Sequence, residues 1–309
     1  MQDSLKGRHL LRVAEWEPDE LRCVLDLADE LKTDTRAGTH LLPRRALGLL
    51  FWKPSTRTRV SFEVGIGQLG GFAVSLAPDE LQLSRGESMR DTVATLSRYL
   101  DALVVRTLEH HELVEIAAHA GIPVVNGLTA QAHPCQALAD ALTIRERVGR
   151  LAGARVAWIG PGTNVCASFL VIAAKLGMRF SGAFPRGYEP AAGAIEAARA
   201  AAAESGGELQ FGTDPRTAVV DAEAVYADVW VSMGQEIEAE RRRRELADYR
   251  VDEELLSLAA PGAVALHCLP AHPGEEITMQ VLYGPRSAVW DQAENRLHVQ
   301  KALLALIVR

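Results

Sequence analysis

Short apolar runs, each followed by a stretch with helical spacing, recur along this chain and limit the folds open to it. Residues 46–52, 102–106, 123–126 and 155–160 read as buried strands, 72–76 as a shorter strand, and 264–269 as the last strong one. Helical periodicity runs through 18–31 on Leu21, Val24, Leu25, Leu27 and Leu31, then through 88–99, 112–120, 137–146 and 191–204. The closing segment 295–308 is amphipathic. Alternating strands and helices predict an α/β protein with mostly parallel sheets flanked by helices. In such sheets ligands sit beyond the carboxyl ends of the strands.

The pattern restarts once. A helix ends around 147–153 and 155–160 reads as a fresh first strand, so the 309 residues divide into two domains. The predicted division is 1–147 with 293–309, against 148–292, the closing helix packing back on the first domain. With 48% hydrophobic and 24% charged residues, both halves can bury a core. The net charge of −7 argues against a nucleic-acid partner, because phosphate backbones need a basic face. Cys23, Cys135, Cys166 and Cys268 show no C-x-x-C pair and no metal-ligand spacing, so no metal is expected. The N-terminus lacks a signal-peptide apolar segment, and no apolar run approaches the roughly 20 residues that span a bilayer. No membrane partner is expected, and a cytoplasmic location is.

Within this acidic chain one turn is crowded with cations. After the strand 46–52, Pro54 ends the run, Ser55 or Thr56 occupies the helix N-cap position, and Val60, Phe62 and Ile66 are expected near the core. Lys53, Arg57 and Arg59 surround that helix start, with no acid until Glu63. A helix N-terminus already carries about half a positive unit charge, so cations are badly placed there. An anion in the turn resolves the conflict. Two hydroxyls, unpaired backbone N–H groups and a guanidinium fork suit a phosphate. Arg106, at the carboxyl end of the strand 102–106, falls on the same side of the sheet.

Other segments are weaker alone. Gly160-Pro161-Gly162-Thr163-Asn164-Val165 follows a strand and opens a helix, yet Val165 replaces the third glycine of a dinucleotide fingerprint. No acid closes a strand about 20 residues on, so no nicotinamide cofactor is expected and the turn presents Asn164 instead. Asp228 and Ser232, in the stretch 228–234, can hold an amino-acid zwitterion, although a capped turn explains them equally well. His133, before Pro134, stands at the mouth of a helix, and Gln136 can both donate and accept. Cys268 is either a nucleophile or an inert thiol, with no base nearby in sequence. The run Arg241–Arg244, among glutamates, reads as a solvated helix face, and His110-His111 as a surface turn.

Taken together, Ser55-Thr56-Arg57-Thr58-Arg59, His133-Pro134-Cys135-Gln136, the stretch 228–234 and His267-Cys268-Leu269-Pro270 resemble the aspartate/ornithine carbamoyltransferase family, in its ornithine branch. The likeness extends from Leu5 to Arg296. It implies a cofactor-free transfer of the carbamoyl group of carbamoyl phosphate to the δ-amine of ornithine, giving citrulline and phosphate in arginine metabolism. Ser55, Thr56, Arg57, Thr58, Arg106 and Arg296 are implied to hold the phosphate. Arg106, Thr58 and His133 would polarise the carbonyl oxygen. Gln136, with the backbone carbonyls of Cys268 and Leu269, would hold the carbamoyl NH2. Asn164, Asp228, Ser232 and Met233 are implied for ornithine, with Asp228 and Cys268 near the reacting amine. Gln82 would reach a neighbouring subunit's site, which implies a homo-oligomer built on a trimer. Pro273 stands where many relatives carry arginine.

Two rivals stay open. One is the same chemistry on aspartate, an N-acylated ornithine or putrescine; the other is a catalytically silent carbamoyl-phosphate-binding paralogue. Cys135 and Cys268-Leu269 disfavour aspartate, and Asp228 suits an unmodified α-ammonium. Arg57, Arg106 and His133 disfavour a silent paralogue.

Overall fold

The structure, a computed structural model, describes residues 2–34, 38–232 and 234–308. It forms two compact units, Met1–Leu138 with Arg296–Arg309, and Ala139–Asn295. The expected α/β architecture is present in both. No helix among the described residues is long and apolar enough to cross a membrane.

The first unit holds a four-stranded parallel sheet in the order β2-β1-β3-β4. These strands are β1 (Ala46–Phe51), β2 (Phe72–Leu76), β3 (Ala102–Arg106) and β4 (Val124–Leu128). The helices are α1 (Pro18–Thr33), α2 (Thr56–Gln68), α3 (Met89–Leu96), α4 (His110–His119) and the start of α5 (Pro134–Val148). Leu50, Leu103, Val105, Leu113, Ile116 and Val124 form a core on one face of the sheet. Burial of each such side chain is worth roughly 1.5–3 kcal/mol. Val60 departs from expectation. It is 44% exposed, as Val64 is at 43%, because α2 turns this face away from the sheet while Phe62 and Ile66 pack inward.

The C-terminal helix, Val289–Ile307, returns its second half to this unit. Gly65 of α2 permits the approach, since a Cβ there would lie 3.2 Å from Lys301 Cγ and 3.5 Å from Leu297 Cδ1. Lys6 Nζ donates to the carbonyls of Ala305 and Val308 at 2.8 and 2.7 Å, meeting the negative end of the helix.

The second unit carries a five-stranded parallel sheet in the order β7-β6-β5-β8-β9. Its strands are β5 (Arg155–Ile159), β6 (Arg179–Ala183), β7 (Glu208–Gly212), β8 (Ala224–Ala227) and β9 (Val264–His267). The helices α6 (Asn164–Lys175) and α7 (Ala192–Ser205) pack together. Trp158, Phe169 and Tyr226 form an aromatic core, the Trp158 and Tyr226 centroids 4.5 Å apart.

Both sheets reverse strand order once. In the first, β1 and β3 are neighbours while their following elements diverge; in the second, β5 and β8 are. Ligands of open α/β sheets bind beyond the carboxyl ends of strands at such switch points. Phe51 pairs with Arg106 at the first, and Ile159 with Ala227 at the second. Ser55 and Arg106 therefore fall at one switch point, Asn164 and Asp228 at the other.

Candidate active site

In the first unit, Ser55 is the N-cap of α2, with φ −156°, but its side chain makes no cap bond. Its Oγ instead accepts from Arg106 Nη1 at 3.1 Å. Thr58, one turn on, is buried, and its hydroxyl accepts from Arg296 Nη2 at 3.2 Å. The first turn of α2 contains no acidic residue. Thr56 and Arg57 are exposed, as is Arg59, which lies 3.7 Å from Glu63 rather than in the cluster.

Arg296 organises this half. Its Nη1 donates to Gln136 Oε1 at 2.8 Å and lies 3.4 Å from His133 Nε2, while Nε and Nη2 both donate to Gln300 Oε1. Gln300 Nε2 donates to Ser61 Oγ at 2.6 Å, returning the network to α2. His133, Gln136, Thr58, Arg106 and Arg296 are all less than a tenth exposed. Burial, then the charges of Arg296 and Arg57, lower the Arg106 pKa to about 10. Burial and the charges of Arg296, Arg106 and Arg57 hold the His133 pKa well below its usual value. His133 is thus a neutral imidazole at neutral pH, a hydrogen-bonding group rather than a fixed cation.

Gln82 lies in a short 3₁₀ turn, Gln82–Arg85, after β2. Its side chain is exposed and makes no hydrogen bond among the described residues. It is not brought into this cluster within its own chain.

In the second unit, Gly160 takes φ +113° at the end of β5, a left-handed conformation that favours glycine. Trp158 Nε1 donates to Pro161 O at 3.0 Å and Gly162 N to Tyr188 O at 2.6 Å, which pins the turn. Thr163 is the N-cap of α6, its Oγ1 accepting from Cys166 N at 3.2 Å. The same hydroxyl donates to Asp228 Oδ2. Asp228 is buried just past β8, and its Oδ1 accepts from Val229 N at 2.8 Å and Cys268 Sγ at 3.0 Å. A carboxylate has about four acceptor directions, so Oδ2 keeps room for a further donor such as an ammonium. Asn164 is half-buried, its Oδ1 accepting from Val165 N at 3.0 Å. Ser232 is half-buried, its backbone N donating to Gln235 Oε1 at 3.1 Å. Leu269 follows Cys268 with φ +58°. Met233 lies outside the described residues.

Four side chains here have no role in the sequence reading. Thr163 was visible as a helix-start threonine after a strand, the ordinary N-cap signal, but nothing local ties it to Asp228. Gln300 sits one turn beyond Arg296. His267 and Glu276 are a fully buried pair behind Cys268, 3.0 Å apart. Two expectations are corrected. His110 is no surface turn: it starts α4 and is buried, accepting from Arg12 Nε at 2.8 Å. Arg242 breaks the solvated run Arg241–Arg244, being buried with its guanidinium 4.8 Å above the Tyr188 ring and donating to Trp230 O.

Residues 8–146 match the family description "Aspartate/ornithine carbamoyltransferase, carbamoyl-P binding domain", and residues 152–307 the "Asp/Orn binding domain" of the same family. An ornithine carbamoyltransferase of Symbiobacterium thermophilum is 51% identical over 307 residues, covering 99% of both chains. One from Halalkalibacterium halodurans is 49% identical over 99% of this chain and 96% of its own. A solved ornithine carbamoyltransferase from Pyrococcus furiosus superposes with a TM-score of 0.94 at 47% identity, over 98% of each chain.

Proposed function

The chain belongs to the aspartate/ornithine carbamoyltransferase family, and we propose how its residues divide the work of that chemistry. It is an enzyme that transfers the carbamoyl group of carbamoyl phosphate to the δ-amine of L-ornithine, giving L-citrulline and phosphate. The first unit holds carbamoyl phosphate. The convergence of Arg57, Arg106 and Arg296 around a buried, neutral His133 is what most favours a phosphate-bearing substrate. Ser55, Thr56, Arg57, Thr58 and the open N-terminus of α2 take the phosphate oxygens, with Arg296 behind them. Gln136 and the carbonyls of Cys268 and Leu269 take the carbamoyl NH2. The second unit holds ornithine through Asn164, Asp228, Ser232 and Met233.

The δ-amine must first lose a proton, since an ammonium has no lone pair and its reference pKa lies near 10. Its nitrogen then bonds to the carbamoyl carbon and the carbonyl becomes a tetrahedral oxyanion. Donors from Arg106, His133 and Thr58 stabilise that charge, a contribution of about 3–4 kcal/mol for each well-placed donor. When the carbonyl re-forms, the bond to the phosphate oxygen breaks, its electron pair leaves with phosphate, and the proton still on the attacking nitrogen passes to that departing phosphate. Positioning and electrostatics supply the catalysis.

The enzyme acts as a homo-oligomer built on trimers, with Gln82 serving a neighbour. The exposed side chain of Gln82 and the apolar surface of Val60, Val64 and Phe72 support this, the last 52% exposed on the edge strand β2. The cytoplasm is its location; no disulfide joins the four cysteines, which suits a reducing compartment. Its place is in arginine metabolism.

The deciding assay supplies carbamoyl phosphate with ornithine, N-acetylornithine, putrescine and aspartate and follows carbamoylated product. Citrulline from ornithine is expected. Turnover of another amine without citrulline would overturn the acceptor, and no turnover at all would overturn the activity. Mass measurement in solution tests the trimer.

A further inference from the structure

His267 closes β9 and is wholly buried, tied at both ring nitrogens. Leu269 N, which can only donate, lies 2.8 Å from Nδ1, so Nδ1 accepts and the ring proton sits on Nε2. Nε2 is 3.0 Å from Glu276 Oε1 and donates to it. The same oxygen accepts from His272 N at 2.6 Å. One imidazole and one carboxylate thus close a ring through 267, 269, 272 and 276. Glu276 is 0% exposed and His267 1%. A buried acidic group is costly unless it is hydrogen-bonded, and here the bonds that satisfy Glu276 Oε1 are the same ones that tie it to this segment.

The ring stands on a rigid base. His267 N donates to Gln292 Oε1 at 2.8 Å, and the Gln292 amide donates to Asp140 Oδ1 and to the Tyr226 hydroxyl. At its far side Val251 N donates to Glu276 O at 2.9 Å. What the ring encloses is the segment carrying Cys268 and Leu269. Leu269 sits at φ +58°, a conformation a branched side chain seldom adopts without an external hold. The hold on its N–H is His267 Nδ1.

We infer that His267 and Glu276 are positioning residues for the transfer: they lock the backbone of Cys268 and Leu269 so that its carbonyls face the carbamoyl NH2. This rests on the assignment of those carbonyls proposed above. Neither side chain needs to touch substrate. Glu276 orients the imidazole and fixes its tautomer, and the imidazole fixes Leu269.

The test uses the full-length enzyme with His267→Leu, His267→Asn and Glu276→Gln. Leucine removes both bonds. Asparagine keeps an acceptor near the place of Nδ1, and glutamine keeps the oxygen that accepts from His267 and His272. Citrulline kinetics, phosphate affinity by calorimetry and amide exchange at Leu269 are measured per folded enzyme. His267→Leu should lower kcat about 100-fold, the scale of a small misplacement of reacting groups. Its phosphate affinity should stay near wild type, because phosphate is held in the other unit. His267→Asn should recover about tenfold of that loss, Glu276→Gln should stay within about threefold of wild type, and Leu269 exchange should follow the same order. Equal kcat in leucine and asparagine variants, or losses that only track the unfolded fraction, would overturn the positioning role. If the wild-type enzyme made no citrulline, the proposed activity would fall while Leu269 exchange still judged the hold.

Discussion

Arg296 Nη2 lies 3.2 Å from the hydroxyl of Thr58, a residue 238 positions earlier in the chain. The C-terminal helix thereby supplies the guanidinium that joins Thr58 at the start of α2 to Gln136 at the start of α5. A planar fork makes these bonds together, and a lysine ammonium cannot. Arg296→Lys should keep most of the positive charge and still lower kcat/KM for carbamoyl phosphate about 100-fold, while KM for ornithine changes little. Steady-state kinetics with each substrate varied separately check this; a wild-type kcat/KM would refute the clamp.

Arg57 stands exposed on the first turn of α2 and adds to the positive field that lowers the pKa values of Arg106 and His133. Cations crowded at a helix N-terminus are unfavourable until an anion arrives. Arg57→Ala should therefore abolish measurable use of carbamoyl phosphate without lowering the unfolding temperature in the absence of ligand. Saturating phosphate should raise the melting temperature of the wild type and leave that of the variant nearly unmoved. Equal phosphate shifts in both would remove Arg57 from the site.

Much of this could be read from the chain itself, and the gaps have physical causes. β1 and β3 are buried on both faces, so their apolar runs are unambiguous. β7 is an edge strand, mostly exposed, and β6 carries Arg179, Ser181 and Gly182, so neither leaves an apolar run to find. The switch-point residues were legible because strand ends and helix starts announce themselves locally. Thr163, His267 and His110 were not, because each owes its role to a partner that only the fold brings near.

His110 supplies a test by pH. Burial, then the charge of Arg12, lowers its pKa to about 4, and the neutral ring bridges Arg12 and Thr129, whose hydroxyl lies 3.0 Å from Nδ1. Between about 4 and the unfolded value of 6.5 the unfolded chain binds more protons than the folded one. Stability must then fall as pH falls through that window and be fully present above it. His133 acts in the same sense. His110→Gln should flatten the slope of unfolding free energy against pH between 6.5 and 5, measured by urea denaturation. An unchanged slope would show that the ring does not contribute.

Thr163 serves two masters, capping α6 and donating to Asp228. Thr163→Ser should preserve both. Thr163→Val should cost about 1 kcal/mol of stability, the usual value of an N-cap. It should also cut kcat/KM for ornithine about tenfold, the lower end of what outer hydrogen-bond partners contribute. Carbamoyl-phosphate affinity should be unaffected. Loss of stability with unchanged ornithine kinetics would leave Thr163 as a cap only.

Gly162 offers the sharpest steric test of the turn that presents Thr163 and Asn164. A Cβ added there would meet Pro190 N at 2.2 Å, Pro190 Cα at 2.5 Å and the Glu189 carbonyl carbon at 2.6 Å. These are backbone atoms, and Gly162 N is itself held by Tyr188 O at 2.6 Å, so the clash cannot be relieved by a side-chain rotation. The turn has to move and take the N-cap of α6 with it. Gly162→Ala should cost at least about 1–3 kcal/mol, the scale of overpacking, and should lose ornithine turnover while phosphate binding persists. Gly193 is the control. It is the second residue of α7 with nothing within 4 Å of an added Cβ, so Gly193→Ala should not destabilise and should leave activity intact. Paired denaturation and kinetics decide the matter: if Gly162→Ala behaves like Gly193→Ala, close contact with Pro190 does not set this turn.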